Sequence, residues 1–335
     1  MGTDRLIDAN TNRAAEGLRV LEDLARFVLD DASLSAEAKQ LRHALRALAA
    51  GTGIAQRDTA NDVGTAISTA DEGVRADLLA LVRANAARVQ EALRAIEECL
   101  KLSNPGAAAE CEQLRYRSYQ LEQALVGRIP AARIAATRLY VLVDTSCTDD
   151  PVAVAAAAVR GGAGVVQLRA KNLSEPAYAA LAQQVQDAVR AAGGLFVVND
   201  HVAVAAALRS DGIHVGQDDL SPALVRRVVG PLCAIGLSTH TREQVIAAHA
   251  EPIDYLGIGP MFATSTKAHE PVRGPELLAA VRRELRLPSF AIGGLDAERI
   301  ASLRDQLPHG VAVAGAVCRA ADPERACAEL CALLA

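Results

Sequence analysis

Apolar positions along the chain change rhythm near the middle. Residues 1 to about 127 carry them at the three-and-four spacing of amphipathic helices, with no convincing strand. From about residue 138 the pattern becomes short apolar runs alternating with Ala-rich helical windows. Between the two, Val126-Gly127-Arg128-Ile129-Pro130 carries a Gly and a Pro that would stop a helix. The pattern predicts an all-α domain over residues 1–127, a linker over 128–137 and a second domain over 138–335.

The second domain counts out as eight strand–helix units. The expected strands are Leu139 to Asp144, Val165 to Arg169, Leu195 to Asn199, Gly212 to Gly216, Ala234 to Ser238, Tyr255 to Gly259, Phe290 to Gly293 and Val311 to Ala314. Each is short and rich in Val, Ile or Leu on both faces, as strands buried on both sides of a parallel sheet are. Helical windows such as Glu175 to Ala192, Arg242 to Ala250 and Glu276 to Leu285 separate them. So many units in so short a stretch predict an α/β fold of the compact TIM (β/α)8 type rather than a doubly wound sheet. In that architecture chemistry sits where the strands end.

The first domain contains an internal helical repeat. Shifted by 75 residues, Asn10, Arg13, Glu16, Leu18, Arg19 and Glu22 fall on Asn85, Arg88, Glu91, Leu93, Arg94 and Glu97. Glu16, Arg19, Asp23 and Arg26 form one stripe of alternating sign, and Glu91, Arg94, Glu98 and Lys101 form its copy. Such stripes read as solvated faces laced with ion pairs of roughly 0.2–0.5 kcal/mol each. Asn10, Arg13, Asn85 and Arg88 are expected on the apolar side of their helices, which would make either a polar pocket or a buried ion-pair network. Between the copies, Arg57 to Gly64 packs Arg57, Asp58, Asn61 and Asp62 into a loop that could hold a metal and a phosphate or cap the next helix.

Composition narrows the function classes. Apolar residues make up 51% of the 335, enough for large cores, and the net charge of −5 is wrong for a general nucleic-acid binder. Aromatic residues are only 3%, with no Trp, which removes base-stacking platforms. No apolar run approaches 18 residues and the N-terminus has no signal-peptide core, so no membrane span is expected. The seven cysteines lack metal-type spacing and read as thiols of a reducing cytoplasm.

The strand ends of the second domain collect polar residues of a consistent kind. Arg169 and Lys171 stand two apart at one strand end, so both can face the mouth. Asp200 and Asp219 follow adjacent strands and could share one Mg²⁺. The strand ending at Ser238 is followed by Thr239 and His240, and the next strand runs toward Thr264-Ser265-Thr266-Lys267. Gly293-Gly294 and Ala314-Gly315 would bring backbone N–H groups close to a phosphate. Cations, a metal and a separate glycine-built seat suit two phosphorylated ligands, one of them a diphosphate.

Six segments carry a resemblance to a known family. Gln167-Leu168-Arg169-Ala170-Lys171, Val198-Asn199-Asp200, His214-Val215-Gly216-Gln217-Asp218-Asp219, Gly236-Leu237-Ser238-Thr239-His240, the stretch from Gly257-Ile258-Gly259-Pro260 to Lys267, and Ala291-Ile292-Gly293-Gly294 occur in order on the expected strands. Together they resemble thiamine phosphate synthase over nearly all of 138–335. The resemblance implies condensation of hydroxymethylpyrimidine diphosphate with a thiazole phosphate. Asp200 and Asp219 would hold Mg²⁺, while Arg169, Lys171 and Lys267 stabilise the leaving diphosphate and Ser238 donates a hydrogen bond to it. It also implies that Gln167 and Asn199 orient the pyrimidine, that Leu168 and Ala170 belong to the substrate-binding residues, and that Thr264, Ser265, Thr266, Gly294, Ala314 and Gly315 hold the thiazole phosphate. Gly315 departs from the family pattern, where Ser is frequent. A thiazole tautomerase is the related alternative for the barrel, but it would not need Arg169, Lys171, Asp200 and Asp219 together.

The first domain has its own resemblance. Asp8 to Phe27, the Arg57-Asp58 and Asp62-Val63-Gly64 loop, and Leu114-Arg115-Tyr116-Arg117-Ser118-Tyr119 resemble the ThiD2-type hydroxymethylpyrimidine phosphate kinase. This implies phosphorylation of the pyrimidine monophosphate by ATP, with Asn10, Arg13, Arg57, Asp58, Asp62, Asn85 and Arg88 as candidate site residues. No Gly-rich phosphate loop or GK[ST] signature is present. A non-catalytic oligomerisation or docking module stands as the alternative, and a homo-oligomer is left open.

Overall fold

A computed structural model describes residues 2–49, 75, 77–263, 274 and 276–335. The chain forms two compact units, Met1–Ile129 and Pro130–Ala335.

The described part of the first unit is helical: α1 (Gly2–Asp23) running into a π-helical turn at Leu24–Val28, α2 (Ala32–Leu48), α3 (Leu78–Leu100) and α4 (Pro105–Val126). Short polar caps start three of them. Asp31, Asp77 and Asn104 each accept a hydrogen bond from a first-turn N–H, and Pro105 follows its cap where no N–H is needed. The repeat persists in three dimensions. Asn10 Nδ2 donates to the Leu6 carbonyl at 3.0 Å, and Asn85 Nδ2 donates to the Leu81 carbonyl at 2.9 Å, the equivalent partner.

Both asparagines are buried, but Arg13 and Arg88 are exposed, which corrects the expectation that all four face inward. The buried charges of this unit are elsewhere. Glu22 accepts from Arg42 Nε and Nη2 at 3.1 and 2.7 Å, joining α1 to α2. Glu97, only 1% exposed, accepts from Arg115 Nε at 3.0 Å, joining α3 to α4. Lys101 at 2.8 Å and Arg94 at 3.0 Å also reach Glu97. The sign-alternating stripes carry exposed ion pairs, Arg19 with Asp23 and both Arg94 and Lys101 with Glu98, and two of their cations, Arg94 and Lys101, also reach the buried Glu97.

The second unit is a closed barrel of eight parallel strands in sequence order. They are β1 (Leu139–Asp144), β2 (Val165–Arg169), β3 (Leu195–Asn199), β4 (Gly212–Val215), β5 (Ala234–Thr239), β6 (Tyr255–Ile258), β7 (Ser289–Ile292) and β8 (Gly310–Val313). Helices α6 (Pro151–Arg160), α7 (Glu175–Ala191), α8 (Val202–Leu208), α9 (Pro222–Val229), α10 (Arg242–Ala248), α11 (Glu276–Val281), α12 (Ala297–Ser302), α13 (Gly315–Cys318) and α14 (Pro323–Leu334) follow in turn.

Alternation along the strands makes two cores. Residues such as Val166, Leu168, Val198 and Ile235 face the helices. Tyr140, Leu142, Val165, Val197, Ala234, Tyr255 and Phe290 fill the barrel interior. The stretch expected as a linker contains α5 (Pro130–Ala135), whose Ile134 belongs to that interior cluster. Among the described residues no helix is long and apolar enough to cross a membrane, and all seven cysteines are free.

The two buried carboxylates predict unequal losses. Among the described residues, without Arg42 Glu22 keeps only Arg19 at 3.8 Å as an ion-pair partner, whereas without Arg115 Glu97 keeps Lys101 and Arg94. Arg42→Met should therefore cost about 3 kcal/mol, and Arg115→Met clearly less. Urea titrations followed by circular dichroism, with amide exchange in α1 and α3 assigning the transition, would show equal costs if this account were wrong.

Candidate active site

The strands all end at one rim, where a cavity of about 380 Å³ opens. Its wall includes Arg169 from β2, His214 from β4, Ser238 from β5, His240, Gly294 after β7, and Ala314 and Gly315 after β8. Five residues expected at the site, from four strand ends, thus share one cavity: Arg169, Ser238, Gly294, Ala314 and Gly315. Arg299 and Arg319 line it too, on the side of the glycine turns.

Arg169 is held by a partner that the sequence reading missed. Asp144 is its register neighbour on β1, both side chains project inward at the rim, and Arg169 Nη1 donates to Asp144 Oδ2 at 2.5 Å. Asp144 is 2% exposed. Burial alone would raise its pKa, but the Ser146 hydroxyl and N–H together with the Arg169 guanidinium outweigh it and hold the carboxyl below the usual range.

Lys171 is exposed and its ammonium pairs with the carboxylate of Asp200. Asp200 follows β3 in a left-handed backbone conformation (φ 62°), which Asp adopts more readily than most residues. Asp219 Oδ2 accepts from the Gly216 N–H at 2.7 Å and closes the turn after β4. No group of three or more His, Cys, Asp or Glu that could hold a metal by itself occurs among the described residues. Two hard carboxylates following adjacent strands nevertheless suit Mg²⁺, which takes one or two protein carboxylates and completes its shell with water and phosphate oxygens.

Three expected contacts move. Leu168 and Ala170 point away from the mouth into the core between strands and helices, because they alternate with Gln167, Arg169 and Lys171. Gln167 faces inward but lies beneath the cavity, 3% exposed, with Nε2 donating to the Tyr140 hydroxyl at 2.7 Å. Asn199 ends β3 as the register partner of His214 and is partly buried. Thr264, Ser265, Thr266 and Lys267, and in the first unit Arg57, Asp58 and Asp62, lie outside the described residues.

The glycine side of the cavity is built by backbone geometry. Gly293 and Gly294 have φ of 104° and 62°, and a Cβ on either would fall 2.6 Å from Pro260 or from the Ala263 carbonyl. Arg299 Nη1 donates to the Gly294 carbonyl, and its guanidinium lies 4.9 Å from the centre of the Phe262 ring. Arg319 Nη2 donates to Cys147 Sγ at 3.3 Å. Arg319 had a signal in sequence: it stands four residues after Gly315, on the same helical face.

In the first unit the Arg115 and Arg117 of the quoted motif each pair with a carboxylate of another helix. Arg115 holds Glu97 and donates to the Tyr119 hydroxyl at 3.1 Å, and Arg117 donates to Glu37 at 2.9 Å.

Comparison with known proteins matches both units. The family model for thiamine monophosphate synthase covers residues 139–317, and the ThiD2 family model covers residues 5–124. A thiamine-phosphate synthase of Synechocystis sp. is 41% identical over 326 residues, 97% of this chain and 94% of that one. One from Gloeobacter violaceus is 40% identical over 321 residues, with 96% and 94% covered. Among solved structures, a thiamine phosphate pyrophosphorylase from Pyrococcus furiosus superposes with a TM-score of 0.55 at 29% identity, covering 60% of this chain and 96% of that one. A rim of the expected chemistry on the expected strands, and similarity that runs through both units, make this chain an enzyme of the thiamine-phosphate synthase family, with a ThiD2-family unit ahead of its barrel.

Proposed function

We propose that the barrel joins hydroxymethylpyrimidine diphosphate to a thiazole phosphate, forming thiamine phosphate and releasing diphosphate. The observation that carries this reading is the lining of one cavity, in which Arg169 and Ser238 join Gly294, Ala314, Gly315, Arg299 and Arg319. Arg169 and Ser238 suit a leaving diphosphate, and the glycine turns with their two arginines suit a phosphate that stays bound.

In this reading Arg169, fixed by Asp144, is aimed at the diphosphate before substrate arrives, so little reorganisation is needed as charge develops. Ser238 donates to the same group, and Lys171 adds charge at its edge. Lys267 would add a further cation, and Thr264, Ser265 and Thr266 would complete the phosphate seat. The C–O bond of the pyrimidine breaks with the electron pair going to diphosphate, and the electron-rich ring carries the resulting cation. The thiazole nitrogen then attacks. It bears no proton, so no general base is required, and catalysis rests on positioning and charge stabilisation. Asp200 and Asp219 would hold Mg²⁺, which when bound neutralises charge on the departing diphosphate.

We propose also that the first unit transfers a phosphate from ATP to the pyrimidine monophosphate, making the substrate of the barrel. Its support is the ThiD2 likeness over residues 5–124. Asn10 and Asn85 bond within their own helices, so the exposed Arg13 and Arg88 are the better placed of the described candidates to meet a nucleotide.

The full chain given pyrimidine monophosphate, ATP, Mg²⁺ and thiazole phosphate should form thiamine phosphate, and should form none when ATP is omitted. Supplying the pyrimidine diphosphate should remove the need for ATP; a continued requirement would separate the two halves of the proposal. In that diphosphate assay Asp200→Ala should lose on the order of 10³-fold in turnover with its circular dichroism unchanged. Asp144→Asn should lower turnover by roughly tenfold to a hundredfold by freeing Arg169. Because the folded pKa of Asp144 is depressed, its stabilisation is complete above the ordinary Asp value near ~3.9 and is lost as pH falls through the lower folded value. Melting temperatures of wild type and Asp144→Asn should therefore differ at neutral pH and converge below about pH 4; a constant gap would count against the ion pair.

A further inference from the structure

Beneath the cavity floor, polar side chains of five strands are linked across the barrel interior. Gln167 Nε2 donates to the Tyr140 hydroxyl at 2.7 Å. The Tyr140 and Tyr255 hydroxyls lie 3.1 Å apart, Tyr255 Oη lies 3.3 Å from His214 Nδ1, and His214 Nε2 lies 2.9 Å from Ser238 Oγ. The chain begins at a buried amide and ends at a hydroxyl on the cavity wall.

Space for it is made in the strands. A Cβ on Gly236 of β5 would fall 2.2 Å from Tyr255 Cζ and 2.4 Å from His214 Nδ1, and one on Gly257 of β6 would fall 3.2 Å from His214 Cε1. Glycine weakens a strand interior and marks places where something must approach the backbone closely. Two such glycines flank His214 and Tyr255, where Val or Ile would otherwise strengthen the sheet.

The order of donors has a direction. The Gln167 amide N–H can only give a proton, so Tyr140 accepts there and passes its own hydroxyl proton to Tyr255. Tyr255 in turn gives its proton to His214 Nδ1. A neutral imidazole with Nδ1 accepting carries its hydrogen on Nε2, which then donates to Ser238 Oγ. Ser238 has its oxygen engaged from below, and its own proton is left to point into the cavity. Reversing the order would leave the Tyr140 proton without an acceptor among the described residues, in a site with no exposure. Burial keeps both phenols protonated by pushing their pKa values up.

We propose that Gln167, Tyr140, Tyr255 and His214 form a one-way hydrogen-bond relay that holds the Ser238 hydroxyl as a donor toward the cavity. The two tyrosines and His214 are then positioning residues, acting through Ser238, and Gln167 sets the polarity. The functional part rests on the reading in which Ser238 donates to the leaving diphosphate; the polarity does not. Gln217 secures the same strand end by donating from Nε2 to the Ser238 carbonyl at 2.6 Å.

The test has two arms. In the full chain with ¹⁵N-labelled histidine rings, long-range ¹H–¹⁵N spectra should show His214, assigned by loss of its signals in His214→Asn, with hydrogen on Nε2 and a bare Nδ1. A hydrogen on Nδ1 in wild type would overturn the relay, whatever the enzyme does. In the kinetic arm, Tyr255→Phe should lower kcat roughly tenfold with KM for the pyrimidine diphosphate unchanged. In a Ser238→Ala background the same substitution should cost nothing further, because its effect runs through Ser238. An equal loss in both backgrounds would overturn the positioning role. A Ser238→Ala enzyme with unchanged kcat would overturn both the diphosphate reading of Ser238 and the purpose of the relay, while leaving the imidazole spectrum to decide its polarity. Tyr140→Phe, which removes the link one step earlier, should repeat the pattern and guards against a Tyr255 variant that fails to fold.

Discussion

Because β8 pairs with β1 as well as with β7, every strand of the barrel has two neighbours, and no strand can slide without breaking register on both sides. That closure settles which residues face inward. In β2 they are Val165, Gln167 and Arg169, at the bottom, middle and rim of the interior. Their register partners on β1 are Tyr140, Leu142 and Asp144. Arg169 and Asp144 therefore meet at the rim as a consequence of pairing rather than of a flexible search. A guanidinium held this way loses little conformational freedom on meeting an anionic ligand. The same pair illustrates the usual ambivalence of buried charge: desolvation works against Asp144, and the site exists only because three donors converge on it.

Much of the second unit is legible in the sequence because parallel strands buried on both faces are short, apolar and separated by helical windows. Asp-Pro steps add sharp helix starts, as at Asp150-Pro151 and Asp322-Pro323, where the aspartate accepts from the first turn. What such strands hide is parity. In Val-Val-Gln-Leu-Arg both faces look apolar, so the run alone does not say which residues face inward. With Arg169 at the mouth, alternation turns the side chains of Leu168 and Ala170 toward the helices. Gln167 shares the parity of Arg169, and its place two residues earlier in the strand puts it in the layer beneath the mouth. Its partner, the Tyr140 hydroxyl, comes from a neighbouring strand, and no local pattern announces it.

The interior also explains why so few aromatic residues are enough. Tyr140, Tyr255 and Phe290 cluster inside the barrel with ring centres 5.4 to 5.9 Å apart. Bulky rings fill a volume that would otherwise need more strands' worth of aliphatic side chains. Putting hydroxyls on two of them brings buried polar groups into an apolar core, which is costly unless each is bonded. The shared bonds to Gln167 and His214 meet that requirement, so a polar link toward the cavity and a filled core come from the same residues.

The helical unit shows a different form of constraint. Its two hairpins align at an offset of 75 residues in their first helices, Asn10 with Asn85, and of 73 in their second, Arg42 with Arg115 and Leu41 with Leu114. The connections differ by two residues, yet in both copies a glutamate of the first helix meets an arginine of the second. A stripe of surface charge can drift, because each exposed pair contributes little. A carboxylate excluded from water cannot, because removal of its cation leaves an uncompensated charge in a poorly polarisable place. Glu22 and Glu97 therefore tie each first helix to its second more tightly than the exposed stripes do, and the difference between the copies lies in how many cations share the duty. Among the described residues Glu97 has Arg115, Lys101 and Arg94, while Glu22 has Arg42 and a distant Arg19. Substitution of Arg115 is buffered where substitution of Arg42 is not, so the second hairpin is the one whose arginine has room to change.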